Sequence, residues 1–254
     1  MGKYFLAERM KNRHTYTEKL TVFMPLISVV LAAWLTRDYF TVDSYNWWYM
    51  ILFPGMLSLV CSAVGNRDKK LGNRSIWALP VKIGSIWDGK VLYGIRCMGI
   101  SMLVFLGVTL GAGKIIGQIG GQVFRIRPTD GEQVLAVAVL LITSLWQVPF
   151  CLFLQQLWGT VPMILLHLGS YIMLSAELAL HSFFMLLPGG IAARMMCIIL
   201  RILPNGLVAE PGSLTFSQEL LDWKALPMGI AASVFWFLIF WLVSRRWFEK
   251  QAER

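Results

Sequence analysis

The chain alternates between long apolar runs and shorter polar segments. Six of the runs are close to the roughly 20 residues that a helix needs to cross a bilayer. The pattern therefore predicts an all-α, polytopic membrane protein with six transmembrane helices, at 20–36, 47–64, 91–112, 134–157, 161–184 and 227–243. Pro54 and Pro149 fall inside two of these runs and predict kinks there.

The polar segments between the runs differ in length and character. Residues 1–19 are basic, with Leu6 and Met10 on one helical face, which predicts an amino-terminal interfacial helix. The segment 37–46 is predicted to be a short polar loop. Two longer segments, 65–90 and 185–226, are predicted to lie on opposite sides of the membrane.

The basic residues give an orientation. Of the 23 Lys and Arg residues, fifteen lie in 1–19, 65–90 and the tail, and seven lie in the segments of the other side. Basic residues are enriched in cytoplasmic loops, so both termini and the 65–90 loop are predicted to be cytoplasmic. The apolar run 191–203 is too short for a seventh span. Arg194 and Arg201 share one of its faces, which predicts an amphipathic helix on the outer surface or dipping into it.

Composition supports a membrane protein. The chain has 254 residues, of which 57% are hydrophobic and 15% charged, whereas soluble domains average about 25% charged residues. The net charge of +9 does not indicate nucleic-acid binding, because the cations lie between the apolar runs. The four cysteines stand singly in apolar surroundings, so neither a disulfide nor a metal site is expected.

Catalytic motifs are not found in the sequence. The nearest approach to a phosphate-binding loop, at Gly113–Lys114, lacks the first glycine and the Ser or Thr that such a loop requires. The chain is therefore expected to be no enzyme and to hold no cofactor or metal.

One acidic residue falls inside a predicted span. Glu177 is followed four residues later by His181 and preceded by Ser170, all in the fifth span. Ionisable residues at membrane depth mark function by default. Two interpretations remain open: Glu177 pairs with His181 and holds a helix interface, or the three residues contact a cationic substrate or relay protons.

The 65–90 loop mixes cations with large apolar residues. This composition is typical of a short helix at the inner membrane surface, and Pro80 prevents one continuous helix. We expect the loop to contact a second protein on which the chain's function depends. The candidate contact residues are Ile76, Trp77, Leu79, Pro80, Ile83 and Trp87.

Three segments carry a family resemblance. Leu6–Leu26 (LAERMKNRHTYTEKLTVFMPL) resembles the opening of the permeases of lantibiotic-immunity ABC transporters, with Glu8, Lys11, Thr15 and Pro25 as matching features. The stretch IWALPVKIGSIWDGK resembles their coupling segment, with Leu79–Pro80 and Gly89–Lys90 as marks. ILPNGL, at 202–207, resembles a motif between their last two spans. The order of spans and loops is similar to that of type-2 ABC exporters.

The resemblance implies that residues 1–254 form one ABC transporter transmembrane domain, of the E type or its sister G type. A separate ATPase subunit, in two copies, would bind ATP and Mg²⁺ and dock on the 65–90 loop. A second permease, of a different chain, would face this one. The pair would expel a cationic lantibiotic from the cell membrane of a Gram-positive bacterium.

The outer segment 185–226 carries acidic residues. Glu210, Glu219 and Asp222 either contact the cationic peptide or form a solvated face. Three other functions remain as alternatives: an ABC permease for another amphipathic drug or lipid-like cargo, an intramembrane enzyme centred on Glu177, and a membrane sensor or scaffold for a kinase.

Overall fold

A computed structural model describes residues 2–70, 72–78, 80–119 and 124–252. Within these ranges the chain is helical, and the one β-type pairing found there is a single bridge between Ile202 and Val208. The α-helices of the described ranges are α1 Gly2–Asn12, α2 Tyr16–Leu35, α3 Phe40–Trp47, α4 Phe53–Lys69, α5 Arg74–Trp77, α6 Ile83–Lys114, α7 Asp130–Thr143, α8 Gln147–Trp158, α9 Thr160–Glu177, α10 Gly189–Leu200 and α11 Ala225–Ala252.

Six helical stretches are long and apolar enough to cross a membrane, counted over the described residues. They are α2, the run from Arg37 to the end of α4, α6 with the turn that follows it, α7 with α8, α9 with a final 3₁₀ turn, and α11. The prediction of an all-α protein with six spans is confirmed, and the chain has the architecture of a multi-pass membrane protein.

The predicted loop at 37–46 is wrong, because this segment is helical. A 3₁₀ turn at Arg37–Tyr39 leads directly into α3, and most of the α3 side chains are buried. Ser44 Oγ donates to the carbonyl of Phe40 at 2.6 Å, and Tyr45 Oη donates to the carbonyl of Gln133 at 3.1 Å. Ser44 and Tyr45 thus form hydrogen bonds inside the bundle, so polarity here does not indicate exposure.

The two prolines for which the sequence predicts kinks lie near interruptions of a helix. A π turn at Trp48–Leu52 separates α3 from α4 and ends two residues before Pro54. The break between α7 and α8 at residues 144–146 ends three residues before Pro149, which lies in the first turn of α8. Proline lacks a backbone N–H and crowds the preceding turn, so it favours a break just before itself.

Helix α10 is an interior element, so of the two predicted positions the one on the outer surface is wrong, whereas a helix that dips into the membrane stays a prediction. All 12 of its residues are buried, and it packs against α7, α9 and α11. Arg194 donates to the carbonyls of Ala179 at 3.3 Å and Glu219 at 2.5 Å, and its guanidinium lies 5.4 Å from the Phe184 ring centroid. These partners allow a cation to be buried in an apolar helix.

The start of α6 contacts both α1 and the last turns of α11 at one end of the bundle; these helix ends and the described residues of the segment 70–82 are here called the charged end. Glu8 of α1 pairs with Lys90 near the start of α6, and Arg245 of α11 pairs with Asp88. The opposite end carries the start of α7, where Lys114 pairs with Asp130 at 3.2 Å.

Candidate functional site at the charged end

Helix α1 buries two polar side chains against the bundle and exposes two large apolar ones. Glu8 and Asn12 are 2% and 0% exposed, whereas Leu6 and Met10 are 51% and 76% exposed. In water this arrangement would be unfavourable, since it exposes large apolar side chains and buries a carboxylate. It is favourable when the outer face of α1 lies in lipid or against a partner, as the sequence predicts for an interfacial helix.

Four charged side chains join α1 to α4 and α6. The Lys90 ammonium is fully buried, lies 3.4 Å from Glu8 Oε1 and also pairs with Asp68 Oδ2. Lys11 Nζ lies 2.9 Å from Glu8 and 3.2 Å from Asp68. Burial lowers the pKa of Lys11, but the attraction of Glu8 and Asp68 outweighs it, so the pKa is raised overall. Two cations and two anions therefore balance, as a buried charge requires.

A second cluster joins α6 to α11. The Trp87 indole N–H donates to Ser244 Oγ at 3.0 Å, and the Trp241 indole N–H donates to Asp88 Oδ1 at 2.8 Å. Arg245 Nε lies 3.3 Å from the same carboxylate oxygen of Asp88. The first turns of α6 are thereby fixed to the carboxyl-terminal helix.

A third cluster joins the end of α4 to the turn between α8 and α9. Gln155 donates to Asn66 Oδ1 at 2.7 Å, and Asn66 donates to Thr160 Oγ1 at 2.7 Å. The Lys69 ammonium donates to the backbone carbonyls of Gln155 and Gln156, both at 2.8 Å. The charged end is thus built from six helices, α1, α4, α6, α8, α9 and α11, which hydrogen bonds and ion pairs join to one another.

The predicted contact loop is shorter than 65–90, because both of its ends are helical. α4 continues to Lys69 and α6 begins at Ile83. Ile76 and Trp87 are buried, Trp77 and Ile83 are half-buried, and Pro80 is exposed. Trp87 is therefore a packing residue of α6. The centroids of its indole ring and of the Phe248 phenyl ring lie 4.9 Å apart.

The exposed part of the segment has a different composition from the predicted contact set. Leu79 lies outside the described residues. Arg74, Ala78 and Lys82 are exposed together with Pro80. A partner that binds here meets a small, basic surface, whereas the large apolar residues hold the segment to the helices of the charged end.

The predicted polar site of span five is brought together only in part: Glu177 pairs with His181, as one of the two interpretations has it, and Ser170 forms its own hydrogen bond within α9. Glu177 is the last residue of α9, and its side chain is 80% exposed. His181 follows in the next turn, with Nε2 at 3.4 Å from Glu177 Oε1. Ser170 donates to the carbonyl of Leu166 at 2.6 Å within its own helix. Glu177 and His181 form an exposed pair at the opposite end, and Ser170 is separate from them.

The three acidic residues predicted for the outer segment contact different parts of the chain. Glu210 lines a pocket of about 300 Å³ together with Asp43, Tyr39 and the loop 206–208. The backbone carbonyl of Glu219 accepts from Arg194, and the carboxylate of Asp222 accepts from the backbone N–H of Lys224 at 3.0 Å. Glu210 is therefore the one of the three that borders this pocket.

Sequence reasoning missed a buried polar pair inside the bundle. His167 Nδ1 lies 2.7 Å from Ser58 Oγ, and Ser58 donates to the carbonyl of Pro54 at 2.9 Å. A hydroxyl carries one proton, so His167 supplies the proton of the shared hydrogen bond through Nδ1–H. Trp146 and Tyr171 pack beside the imidazole, with ring centroids at 6.1 Å. A histidine inside an apolar run was the available signal.

Comparison with known proteins does not identify a family for this chain. The chain matches no protein-family model, and comparison with curated proteins and with solved structures likewise gives no match. Within the described residues, no group of three or more His, Cys, Asp and Glu side chains is arranged to hold a metal ion. The family resemblance carried by the sequence motifs stays a prediction.

Proposed function

We propose that the chain is the permease subunit of an ABC exporter, powered by a separate ATPase subunit that docks at the charged end. The observation that supports this most is the construction of the charged end. The segment between α4 and α6 is short, basic and exposed at Arg74, Ala78 and Lys82, and the two helices that it connects are bonded to α1, α8, α9 and α11. Such an arrangement transmits a force applied at the segment to much of the bundle. The excess of Lys and Arg supports a cytoplasmic position for this end.

Helix α6 is the proposed lever. It has 32 residues, which at 1.5 Å per residue is about 48 Å, enough to run from the charged end through a bilayer. At its start it is fixed to α1 and α11, and a Cβ atom added at Gly89 would lie 3.0 Å from the backbone of Tyr4. A displacement of the segment by the ATPase would therefore move α1, α6 and the end of α11 together.

The interruptions beside the two prolines are the proposed hinges. The π turn at Trp48–Leu52 and the break at 144–146 lie within membrane-spanning stretches. Helices bend most easily at such points, because the regular backbone hydrogen bonds are already interrupted there. The parts of the bundle beyond these points can then change position while the charged end remains intact.

The pocket at the opposite end suits one cationic side chain of a peptide. Asp43 and Glu210 are the charged residues among the described lining of this pocket, and both are acidic. Its volume of about 300 Å³ is sufficient for a side chain rather than a whole peptide. In this proposal the cargo is a lantibiotic taken from the membrane of a Gram-positive bacterium, and export confers resistance.

The proposed assembly contains other chains. Two ATPase copies would bind ATP and Mg²⁺, and a second permease, of a different sequence, would face this one. An ABC permease for another amphipathic drug or lipid-like cargo would use the same charged end, and the genes beside this one would distinguish the two. The exposed position of Glu177 gives no support to an intramembrane enzyme centred on it.

The exposed cations of the segment provide the test. Reversing Arg74 and Lys82 to Glu should abolish peptide resistance and peptide-stimulated ATP hydrolysis of the purified complex. The thermal stability of the chain should change little, because both side chains are exposed and neither forms an ion pair within the described residues.

A matched control is available on α11. Arg246 and Lys250 are exposed at the same end, and their reversal to Glu changes the net charge equally. The control should keep resistance. Full resistance in the Arg74/Lys82 variant, or equal loss in both variants, would contradict docking at this segment.

A further inference from the structure

A basic cleft lies between the start of α2 and the end of α4. Its volume is about 390 Å³, and it is lined by Tyr16, Ala63, Asn66, Arg67 and Lys70. The cleft is at the charged end, where membrane-spanning helices leave the bilayer. Tyr16 is largely exposed there, as is common for aromatic residues at a membrane interface.

The charge of the cleft is uncompensated by the residues described around it. None of the described lining residues is acidic, and neither Arg67 nor Lys70 has an ion pair within the described ranges. Asp68, the adjacent acid in the sequence, is buried and pairs with Lys90 and Lys11. One Arg67 N–H group donates to the carbonyl of Lys11, which leaves the other guanidinium donors for a ligand.

An apolar stripe continues from the cleft along α4 and the turn before it. Ile51, Gly55, Leu59 and Ala63 follow each other at intervals of four residues, and Arg67 is the next residue in this series. Ile51 is half exposed. A Cβ atom added at Gly55 would meet nothing within 4 Å, so the stripe has open space beside it. Positions four apart lie on one helical face.

We propose that this face binds one anionic phospholipid. The phosphate lies between Arg67 and Lys70, with the Tyr16 hydroxyl as a further donor, and an acyl chain follows the α4 stripe. A phosphate pairs favourably with Arg and Lys, whereas a choline headgroup would find no described acidic side chain in the lining. The stripe favours a lipid over a free phosphate, because it offers apolar surface where the ligand continues into the membrane. The inference is independent of the transport proposal.

Lipid retention by the purified full chain tests the site. Native mass spectrometry from mild detergent would compare added phosphatidylglycerol with phosphatidylcholine. We expect several-fold more phosphatidylglycerol bound, and a loss of about tenfold or more in the Arg67→Gln/Lys70→Gln variant, since the phosphate then loses both of its charged partners. The control Arg246→Gln/Lys250→Gln, with the same charge loss at the same end, should retain the lipid.

Two further variants separate the binding site from folding. Lys70→Gln alone removes a side chain without a described hydrogen bond, so the fold should persist while retention falls. Gly55→Leu fills the stripe without a change of charge and should also reduce retention, whereas Gly99→Leu, at another open glycine, on α6, should not.

Several results would overturn the proposal. Equal binding of the two lipids would show that the site has no preference for an anionic headgroup, and equal loss in the α11 control would leave general electrostatic attraction as the explanation. Complete competition by inorganic phosphate or glycerophosphoglycerol would show a headgroup site without an acyl stripe. Disulfide cross-linking between two copies through a cysteine at position 55 would show that a second copy of the chain covers this face.

Discussion

Lys90 is the residue whose replacement most directly tests the construction of the charged end. It is fully buried and pairs with two carboxylates, Glu8 and Asp68, which are themselves nearly buried. Lys90→Met preserves an unbranched apolar side chain but leaves the two carboxylates facing each other, with Lys11 as the remaining cation. We expect a large loss of stability and release of α1 from the bundle.

The magnitude follows from the burial of each partner. Removal of one partner from a buried ion pair costs about 3–5 kcal/mol. One kcal/mol shifts the melting temperature by about 2–4 °C in a chain of this size, so Lys90→Met should lower it by roughly 6–20 °C. Lys11 has a side chain that is 38% exposed, and pairs of exposed residues contribute about 0–1 kcal/mol. Lys11→Met should therefore cost a few degrees at most.

The assay is thermal unfolding of the purified chain in detergent, followed by circular dichroism. Glu8→Gln combined with Lys90→Met removes one of the two unpaired carboxylates and should recover part of the loss. The reasoning is refuted if the Lys90 and Lys11 variants melt within about 2 °C of each other. It is also refuted if the added Glu8 substitution lowers stability further.

Two other expected outcomes use matched positions. Ser58→Ala leaves His167 Nδ1–H without its 2.7 Å partner and should lower the free energy of unfolding by about 1–3 kcal/mol. Ser170→Ala loses only a hydrogen bond within its own helix and should change that free energy by no more than about 0.5 kcal/mol. Equal effects of the two variants in chemical unfolding would contradict this difference. A Cβ atom at Gly94 would lie 2.6 Å from Cγ1 of Val148, so Gly94→Ala should destabilise by about 1–3 kcal/mol. Gly99→Ala, with nothing within 4 Å, should stabilise by about 0.5–1 kcal/mol; the opposite order would show that α6 does not pack on α8 at this point.

The apolar runs were sufficient to predict the six spans. A run of about 20 apolar residues has few alternatives in a chain with this composition, and the prolines marked the two interruptions. The run 191–203 was ambiguous for a physical reason. Its two arginines made it look amphipathic, yet Arg194 finds backbone carbonyls and an aromatic ring inside the bundle. Such partners come from distant segments, which a local pattern does not contain.

The charged end was predicted only in outline. The basic residues identified the segments that meet there, but their individual positions depend on long-range pairing. The sequence placed Lys90 among the basic residues of the 65–90 loop. In the structure it is the most buried member of an ion cluster with Glu8 and Asp68. Trp87 resembled a contact residue because large aromatic residues occur at interfaces, whereas Ser244 and Phe248 of α11 enclose it. Leu6 and Met10, which the sequence placed on one helical face, are both exposed on α1; the interfacial position of this helix stays a prediction.

Site-directed photo-crosslinking at Ala78 tests the central claim most directly. Ala78 is exposed in the segment between α5 and α6. A photoreactive residue at this position, in the tagged chain expressed in its own membrane, should capture a protein with a phosphate-binding loop that is identified by mass spectrometry. The same probe at Arg246, exposed on α11 at the same end, should not capture it. Absence of such an ATPase at position 78, with the chain intact and inserted, would contradict the proposed function.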